Sequence, residues 1–109
     1  MEVLAMEKRT ATRHETDASV VCSYLTSNGN ERVFDGTMRN YGACGMYAEL
    51  KSPFRRGTIL LVKTRCSPSR PMPSPLQEGF RSVSLAEVKW SQPLSREGET
   101  LYGIGMKYI

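Results

Sequence analysis

The chain has 109 residues and a mass of 12.2 kDa, which is enough for one domain with a modest core and excludes a multidomain enzyme. Its 39% hydrophobic and 24% charged residues are typical of a globular domain, and its net charge of +4 favours an anionic partner. The longest apolar run, Ile59 to Val62, is far shorter than the roughly 20 residues of a membrane span. Because the N-terminal stretch also lacks a secretory-signal pattern, we expect a cytoplasmic protein.

Short apolar runs separated by Gly, Pro, Asn and Ser, with no helical stripe, predict an all-β domain. Turn signals occur at Asn28-Gly29, at the glycines of segment 41–45, at Pro53 to Gly57 and in the polar segment 95–99. They separate six expected strands, over residues 18–25, 31–40, 46–50, 58–65, 81–90 and 101–108. Small sheets control their edges by closing, so we expect a compact six-stranded antiparallel β-barrel.

Residues 1–109 are expected to form this single domain, with a flexible N-terminal arm over residues 1–17. Residues 66–80 hold four of the six prolines, which predicts an exposed loop rather than a second domain. The three cysteines contain no CxxC pair and are expected to act as small hydrophobic residues. His14, the only histidine, is interpreted as an exposed residue of the arm.

Alternation along the last two strands predicts which side chains face the core. For the segment 81–90 the predicted buried residues are Ala86, Val88 and Trp90. For the segment 101–108 one side carries Tyr102, Ile104, Met106 and Tyr108, while Gly103, Gly105 and Lys107 lie on the other. Trp90 and Tyr108 are therefore interpreted as core residues rather than as a stacking platform for nucleic acid.

Two short motifs flank the first strands. Arg9 and Arg13 form an RxxxR pair ahead of the first strand, and Asn40 to Gly45 forms an NxGxxG turn between the second and third. Taken alone, the first is typical of a solvated terminus and the second of a plain hairpin turn. No motif for a nucleophilic enzyme, a phosphate loop or a metal site accompanies them, so we expect neither enzymatic activity nor a metal or other cofactor.

Together with the AEVKW segment at 86–90 and the YGIGMKY segment at 102–108, these motifs resemble the PilZ domain family in order and spacing. The resemblance runs from about Lys8 to Tyr108. It implies a six-stranded β-barrel that binds the bacterial second messenger cyclic di-GMP through RxxxR and a [D/N]xSxxG turn. The ligand-binding residues carried over are Arg9, Arg13, Asn40, Gly42 and Gly45, and Gly42 departs from the family's Ser. Lys8 and Arg39, each beside a motif residue, are added as candidate phosphate contacts.

The resemblance leads to a first hypothesis, a receptor in which cyclic di-GMP orders the N-terminal arm and relays the signal to a protein partner. An alternative is a ligand-independent adaptor of the PilZ type that acts by protein–protein interaction, for which the Gly42 departure is the main support. A third, weaker possibility is a basic barrel that binds single-stranded nucleic acid, supported only by charge and topology.

Overall fold

The computed structural model describes residues 13–25, 32–65 and 81–109. Within those ranges the chain forms strands and no helix, so no helix there could span a membrane. The seven strands are β1 (His14–Glu15), β2 (Ser19–Tyr24), β3 (Val33–Tyr41), β4 (Gly45–Leu50), β5 (Ile59–Arg65), β6 (Val83–Arg96) and β7 (Glu99–Tyr108).

All strand pairs are antiparallel, and six strands close into a barrel in the order β3-β2-β5-β6-β7-β4, with β4 returning to β3. The short β1 is an extra strand that continues the line of β2 along β3, pairing His14 with Tyr41 and Glu15 with Asn40. The predicted six-stranded antiparallel barrel is therefore confirmed. β1 was not predicted, and it places part of the expected N-terminal arm in the sheet.

Hydrophobic side chains from alternating positions of the strands fill most of the barrel interior, together with the buried hydroxyl residues Thr64 and Ser84. Fully buried examples from four strands are Val20, Met46, Leu60 and Ile104. Tyr24, Phe34 and Phe54 pack edge to face at one end, with ring centroids 5.0 to 5.8 Å apart. Because the barrel is closed, its six strands leave only short edges exposed.

Two β-bulges interrupt the alternation. The register between β3 and β4 shifts between Met38 and Asn40, so that Met38 and Tyr41, three positions apart, are both buried. The register between β6 and β7 shifts between Val88 and Trp90. Each bulge turns the residues after it to the face opposite to the one that simple alternation predicts.

The second bulge corrects one prediction. Ala86 and Val88 are buried as expected, but Trp90 is 46% exposed and lies outside the barrel. The prediction of a buried Trp90 was wrong because the extra residue, Lys89, reverses the parity of the strand. β6 also runs on to Arg96, and a two-residue turn at Glu97 and Gly98, both with positive φ, joins it to β7.

His14 and the cysteines also depart in part from their predicted settings. His14 is half-buried in β1, with its ring centroid 5.2 Å from that of Tyr41, so it is not an exposed residue of an arm. Cys22 is fully buried, as expected of a small hydrophobic residue, and burial raises the pKa of its thiol to about 12. Cys44, by contrast, is exposed in the turn before β4, so it does not act as a packed hydrophobic residue. The 66–80 loop lies outside the described residues.

Candidate functional site

The turn between β3 and β4, which carries the NxGxxG motif, is closed by backbone hydrogen bonds. The N–H of Gly42 donates to the carbonyl of Gly45 at 2.9 Å, and the N–H of Tyr108 donates to the carbonyl of Cys44 at 2.8 Å. At Gly45 a Cβ atom would collide with the backbone carbonyl of Met106 on β7, so only glycine fits. The motif therefore forms a rigid corner packed against the end of β7.

Arg13, the second arginine of RxxxR, lies against this corner. Its Nη1 donates to the carbonyl of Gly45 at 3.2 Å. The pairing of His14 with Tyr41 and the hydrogen bond from the N–H of Thr16 to the carbonyl of Arg39 at 3.0 Å fix the chain that carries it. Arg13 is an exposed residue, and among the described residues its guanidinium donates only this hydrogen bond. The two motifs, 27 positions apart in their nearest residues Arg13 and Asn40, thus meet in the fold.

Asn40 follows the first bulge and pairs with Tyr47. Its Oδ1 is buried and has no hydrogen-bond partner among the described residues. A buried acceptor without a donor costs free energy, and a ligand N–H would recover it. Asn40 borders a cleft of about 420 Å³ whose other walls are Glu15, Thr16, Asp17, Arg39, Tyr47 and Glu49.

Arg39 and Glu49 form an ion pair in this cleft, with 3.1 Å between Nε and Oε1. Glu49 lies on the outer side of β4 and yet is only 3% exposed, because Arg39 and Tyr47 cover it. The hydroxyl of Tyr47 donates to the other carboxylate oxygen at 3.4 Å. Pairing and hydrogen bonds of this kind are what allow a carboxylate to be buried. Arg39, predicted as a phosphate contact, thus donates its Nε–H to Glu49, while its side chain is 41% exposed.

Trp90 and Tyr47 form a stacked pair on the outside of the barrel, with ring centroids 5.5 Å apart and an angle of 25° between their planes. The pair lies across two glycines of β7. A Cβ atom at Gly103 would meet the ring of Tyr47, and one at Gly105 would meet the indole of Trp90. Large rings lying over strand glycines in this way restore packing that glycine cannot supply. We call the outer surface formed by Asn40, Tyr47, Glu49, Trp90 and Gly105 the bulged face.

Of the predicted ligand-binding residues, the structure brings Arg13, Asn40, Gly42 and Gly45 together at one corner, with Arg39 next to them. Lys8 and Arg9 lie outside the described residues. Sequence reasoning missed Tyr47, Glu49 and Trp90. The sequence signal for the two aromatic residues was the pair of glycines at 103 and 105, since glycine at alternate positions of a strand indicates that a bulky side chain packs over it. Across the three described ranges, no group of three His, Cys, Asp or Glu side chains is placed to hold a metal ion.

Comparison with solved structures identifies the architecture. The chain superposes on the PilZ domain of YcgR from Escherichia coli, solved with c-di-GMP, at a TM-score of 0.59 and 10% sequence identity. The match covers 94% of this chain and 78% of that one. Neither the models of known protein families nor the curated proteins contain a match. At this identity the likeness shows the fold, so the chain has a PilZ-like fold, as the resemblance in its sequence implied.

Proposed function

We propose that this protein is a cyclic di-GMP receptor that binds the nucleotide at the corner formed by Arg13, Asn40 and the 42–45 turn. The observation that carries the proposal is the position of Arg13, whose guanidinium contacts the carbonyl of Gly45 although the two residues belong to separate motifs. The PilZ-like fold and the c-di-GMP bound to the YcgR domain support it. Such a protein is a binding domain of the bacterial cytoplasm rather than an enzyme.

The chemistry of the corner suits a guanine dinucleotide. A planar guanidinium makes paired hydrogen bonds to a phosphate or to the O6 and N7 atoms of guanine, and Arg13 offers an exposed one. The buried Oδ1 of Asn40 lacks a donor among the described residues, and the Watson–Crick edge of guanine supplies N–H donors. Arg9, four positions ahead of Arg13 in sequence, is the proposed partner for the second half of the ligand.

The stacked pair of Tyr47 and Trp90 extends this surface. Tyr47 pairs directly with Asn40, and the indole of Trp90 is 46% exposed. Stacking of a base on an aromatic side chain contributes roughly 1 to 3 kcal/mol in single-stranded nucleic acid complexes. A guanine held by Asn40 would therefore find an aromatic surface on the same face, and its binding would quench the fluorescence of Trp90, the only tryptophan.

Gly42 replaces the serine of the family motif, and the structure limits how the lost hydroxyl is compensated. The N–H of Gly42 already donates to Gly45, so it is not available to stand in for the hydroxyl. We expect Gly42→Ser to bind cyclic di-GMP about tenfold more tightly than Gly42→Ala, because one added hydrogen bond to a charged group is worth about 1.5 kcal/mol or more. Both variants add a Cβ atom, so their difference isolates the hydroxyl. Equal affinities would show that the ligand does not approach position 42.

Isothermal titration with cyclic di-GMP tests the proposal directly, with GMP and GTP as control ligands. We expect specific binding that weakens at least tenfold in Arg13→Ala and is lost in the Arg9→Ala/Arg13→Ala double variant. Arg56→Ala is the matched control, since it removes the same charge from an exposed turn that is not part of the corner. Absence of binding by the wild type, or equal affinity in all variants, would contradict the receptor function.

A second function, the ligand-independent adaptor, is favoured by a different observation. The register aligns Val33, Ser23, Leu61 and Leu85 across β3, β2, β5 and β6 on the outside of the barrel. Val33 is 60% and Leu85 36% exposed, and Val83 and Ile109 nearby are 58% and 67% exposed. We call the surface of Val33, Leu61, Val83, Leu85 and Ile109 the apolar face. Contiguous exposed apolar surface is typical of protein-binding sites, and it would serve either an adaptor or the output of a receptor.

The two functions differ in how partner binding depends on the nucleotide. A receptor binds its partner with an affinity that changes when cyclic di-GMP is added, and Arg13→Ala abolishes the change. An adaptor binds with the same affinity with and without the nucleotide, and Leu85→Lys weakens that binding in both conditions.

A further inference from the structure

Arg81, which belongs to neither motif, lies two residues before the first residue of β6, and its side chain reaches β7, the strand that supports the turn. Its guanidinium carbon is 4.1 Å from the ring centroid of Tyr108. Tyr108 is mostly buried, and its backbone N–H donates to the carbonyl of Cys44 within the 42–45 turn. Arg81 is exposed, so the guanidinium covers an aromatic ring at the corner while remaining open to solvent.

Arg13 and Arg81 act on the same group. Burial raises the pKa of the Tyr108 phenol, and the positive charges of Arg81 and Arg13 both oppose that rise. Two cations are thus within electrostatic range of one hydroxyl. In the described part of the chain neither has a carboxylate at ion-pair distance, since the ion pairs there join Arg39 to Glu49 and Lys89 to Glu87.

Two cations that converge on one corner repel each other, and an anion placed between them removes the repulsion. A guanidinium stacked on an aromatic ring is held in orientation while its N–H groups remain available at its edge, which suits paired hydrogen bonds to a phosphate. Cyclic di-GMP carries two negatively charged phosphates, so a second arginine at the corner can form an ion pair with the ligand.

We propose that Arg81 is a further ligand-binding residue, which contacts a phosphate of the nucleotide beside Arg13. This inference rests on the proposed cyclic di-GMP site and adds a contact from the start of β6. Tyr108 is its positioning residue, because the ring fixes the guanidinium over the turn.

The test is titration of the full chain with cyclic di-GMP at several salt concentrations, using wild type, Arg81→Ala, Arg81→Lys and the control Arg56→Ala. We expect about a tenfold loss of affinity in Arg81→Ala, an intermediate loss in Arg81→Lys, and no change in the control. The dependence of log Kd on log salt should be shallower in Arg81→Ala than in the control, because one ionic contact is missing. A merely structural role would lower the melting temperature without changing that slope.

The possible failures are distinguishable. Binding that depends on Arg13 but is the same in Arg81→Ala and Arg56→Ala would overturn the role of Arg81 and leave the receptor function standing. Absence of binding in the wild type would overturn both. An equal salt dependence in Arg81→Ala and the control, with weaker binding at every salt concentration, would show that Arg81 acts through the fold and not on the phosphate.

Discussion

The two outer faces of the barrel are built differently. On the apolar face, β2, β5 and the first half of β6 pair without interruption, and each side chain follows the pleat. On the bulged face, both register shifts occur and two strand glycines lie beneath the rings of Tyr47 and Trp90. On the apolar face, the outward side chains are those that strict alternation along each strand predicts. The bulged face, by contrast, carries amide, carboxylate, guanidinium and indole groups that strict alternation would distribute over both sides of the sheet. Irregular pairing is thus the means by which this small barrel concentrates polar and aromatic groups on one surface.

Single-residue deletions in β6 would test this difference most strongly. Deleting Lys89 removes the bulge and leaves Val88 opposite Met106 and Trp90 opposite Gly105, so every side chain keeps its face. Deleting Gln92 also removes the register shift, but it moves Trp90 by one position, so that Trp90 lies opposite Ile104, whose side chain faces the core. We expect a loss of about 1 kcal/mol in the first case and more than about 4 kcal/mol in the second, measured by urea unfolding. Equal losses would show that the bulge does not set the parity.

The thiol of Cys22, in the regular half of the barrel, gives a pH dependence. Its pKa is raised from 9.0 to about 12 by burial in the first place and by Asp35 in the second. The neutral thiol is therefore favoured in the folded state. Its contribution to the free energy of unfolding is fully present below pH 9 and is lost as the pH rises towards 12. Between pH 8 and 10.5 we expect the wild type to lose roughly 2 kcal/mol more of its free energy of unfolding than Cys22→Ala.

Alkylation provides a control for that prediction. In a Cys66→Ser background at pH 8, iodoacetamide should modify the exposed Cys44 and leave the buried Cys22 unmodified until the protein unfolds. Parallel pH profiles in wild type and Cys22→Ala, or rapid labelling of Cys22 in the folded protein, would contradict the prediction.

Replacing glycine by alanine should cost different amounts at the corner and on the bulged face. At Gly45 the new Cβ atom meets the carbonyl of Met106, and the backbone itself has to move. We expect Gly45→Ala to lower the free energy of unfolding by about 3 kcal/mol. Gly98→Asn is a suitable control, because its positive φ tolerates asparagine and nothing lies within 4 Å of its Cβ position. A loss below about 1 kcal/mol at Gly45 would show that the turn can relax.

At Gly105 the same substitution meets only the edge of the Trp90 indole, a side chain that can swing away. We expect Gly105→Ala to cost about 1 kcal/mol and to shift the fluorescence emission of Trp90 to longer wavelength as the ring moves into water. The shift should be absent in Gly98→Asn. An unchanged emission spectrum would mean that the position of the Trp90 indole does not require glycine at position 105.

Leu85→Lys on the apolar face should have the smallest effect on stability. Leu85 is 36% exposed and lies outside the barrel, so the loss should stay below about 0.5 kcal/mol by urea unfolding. Val62→Lys is the contrasting variant, because Val62 is fully buried and an unpaired lysine there should unfold the barrel. A large loss at Leu85 would show that this residue contributes to the barrel itself.

How much of the structure the sequence predicts follows from the same division. The strands of the regular face were predicted within a few residues because alternation and turn residues mark them, and the corner was predicted because its motifs resemble those of a family. β1 could not be predicted, since two residues carry no periodicity and their pairing depends on the length of β3 beyond its bulge. The burial of Trp90 was wrongly predicted because a single inserted residue in a strand cannot be recognised from composition or alternation. The burial of Glu49 was not predicted because its partners, Arg39 and Tyr47, lie on two strands that no local sequence pattern brings together.

The closure of the barrel has a kinetic consequence. The hairpins β3–β4 and β6–β7 join neighbours in sequence, but the barrel closes only when Leu50 meets Tyr102 and Tyr24 meets Leu60. Bringing such distant segments together costs chain entropy before any contact repays it, and barrels of this kind fold in roughly milliseconds to seconds. The corner that holds Arg13, the 42–45 turn and the end of β7 exists only once β4 has paired with β7. A newly synthesised chain therefore gains the proposed nucleotide site only after its final strand has docked, so a chain that has not finished folding has no such site.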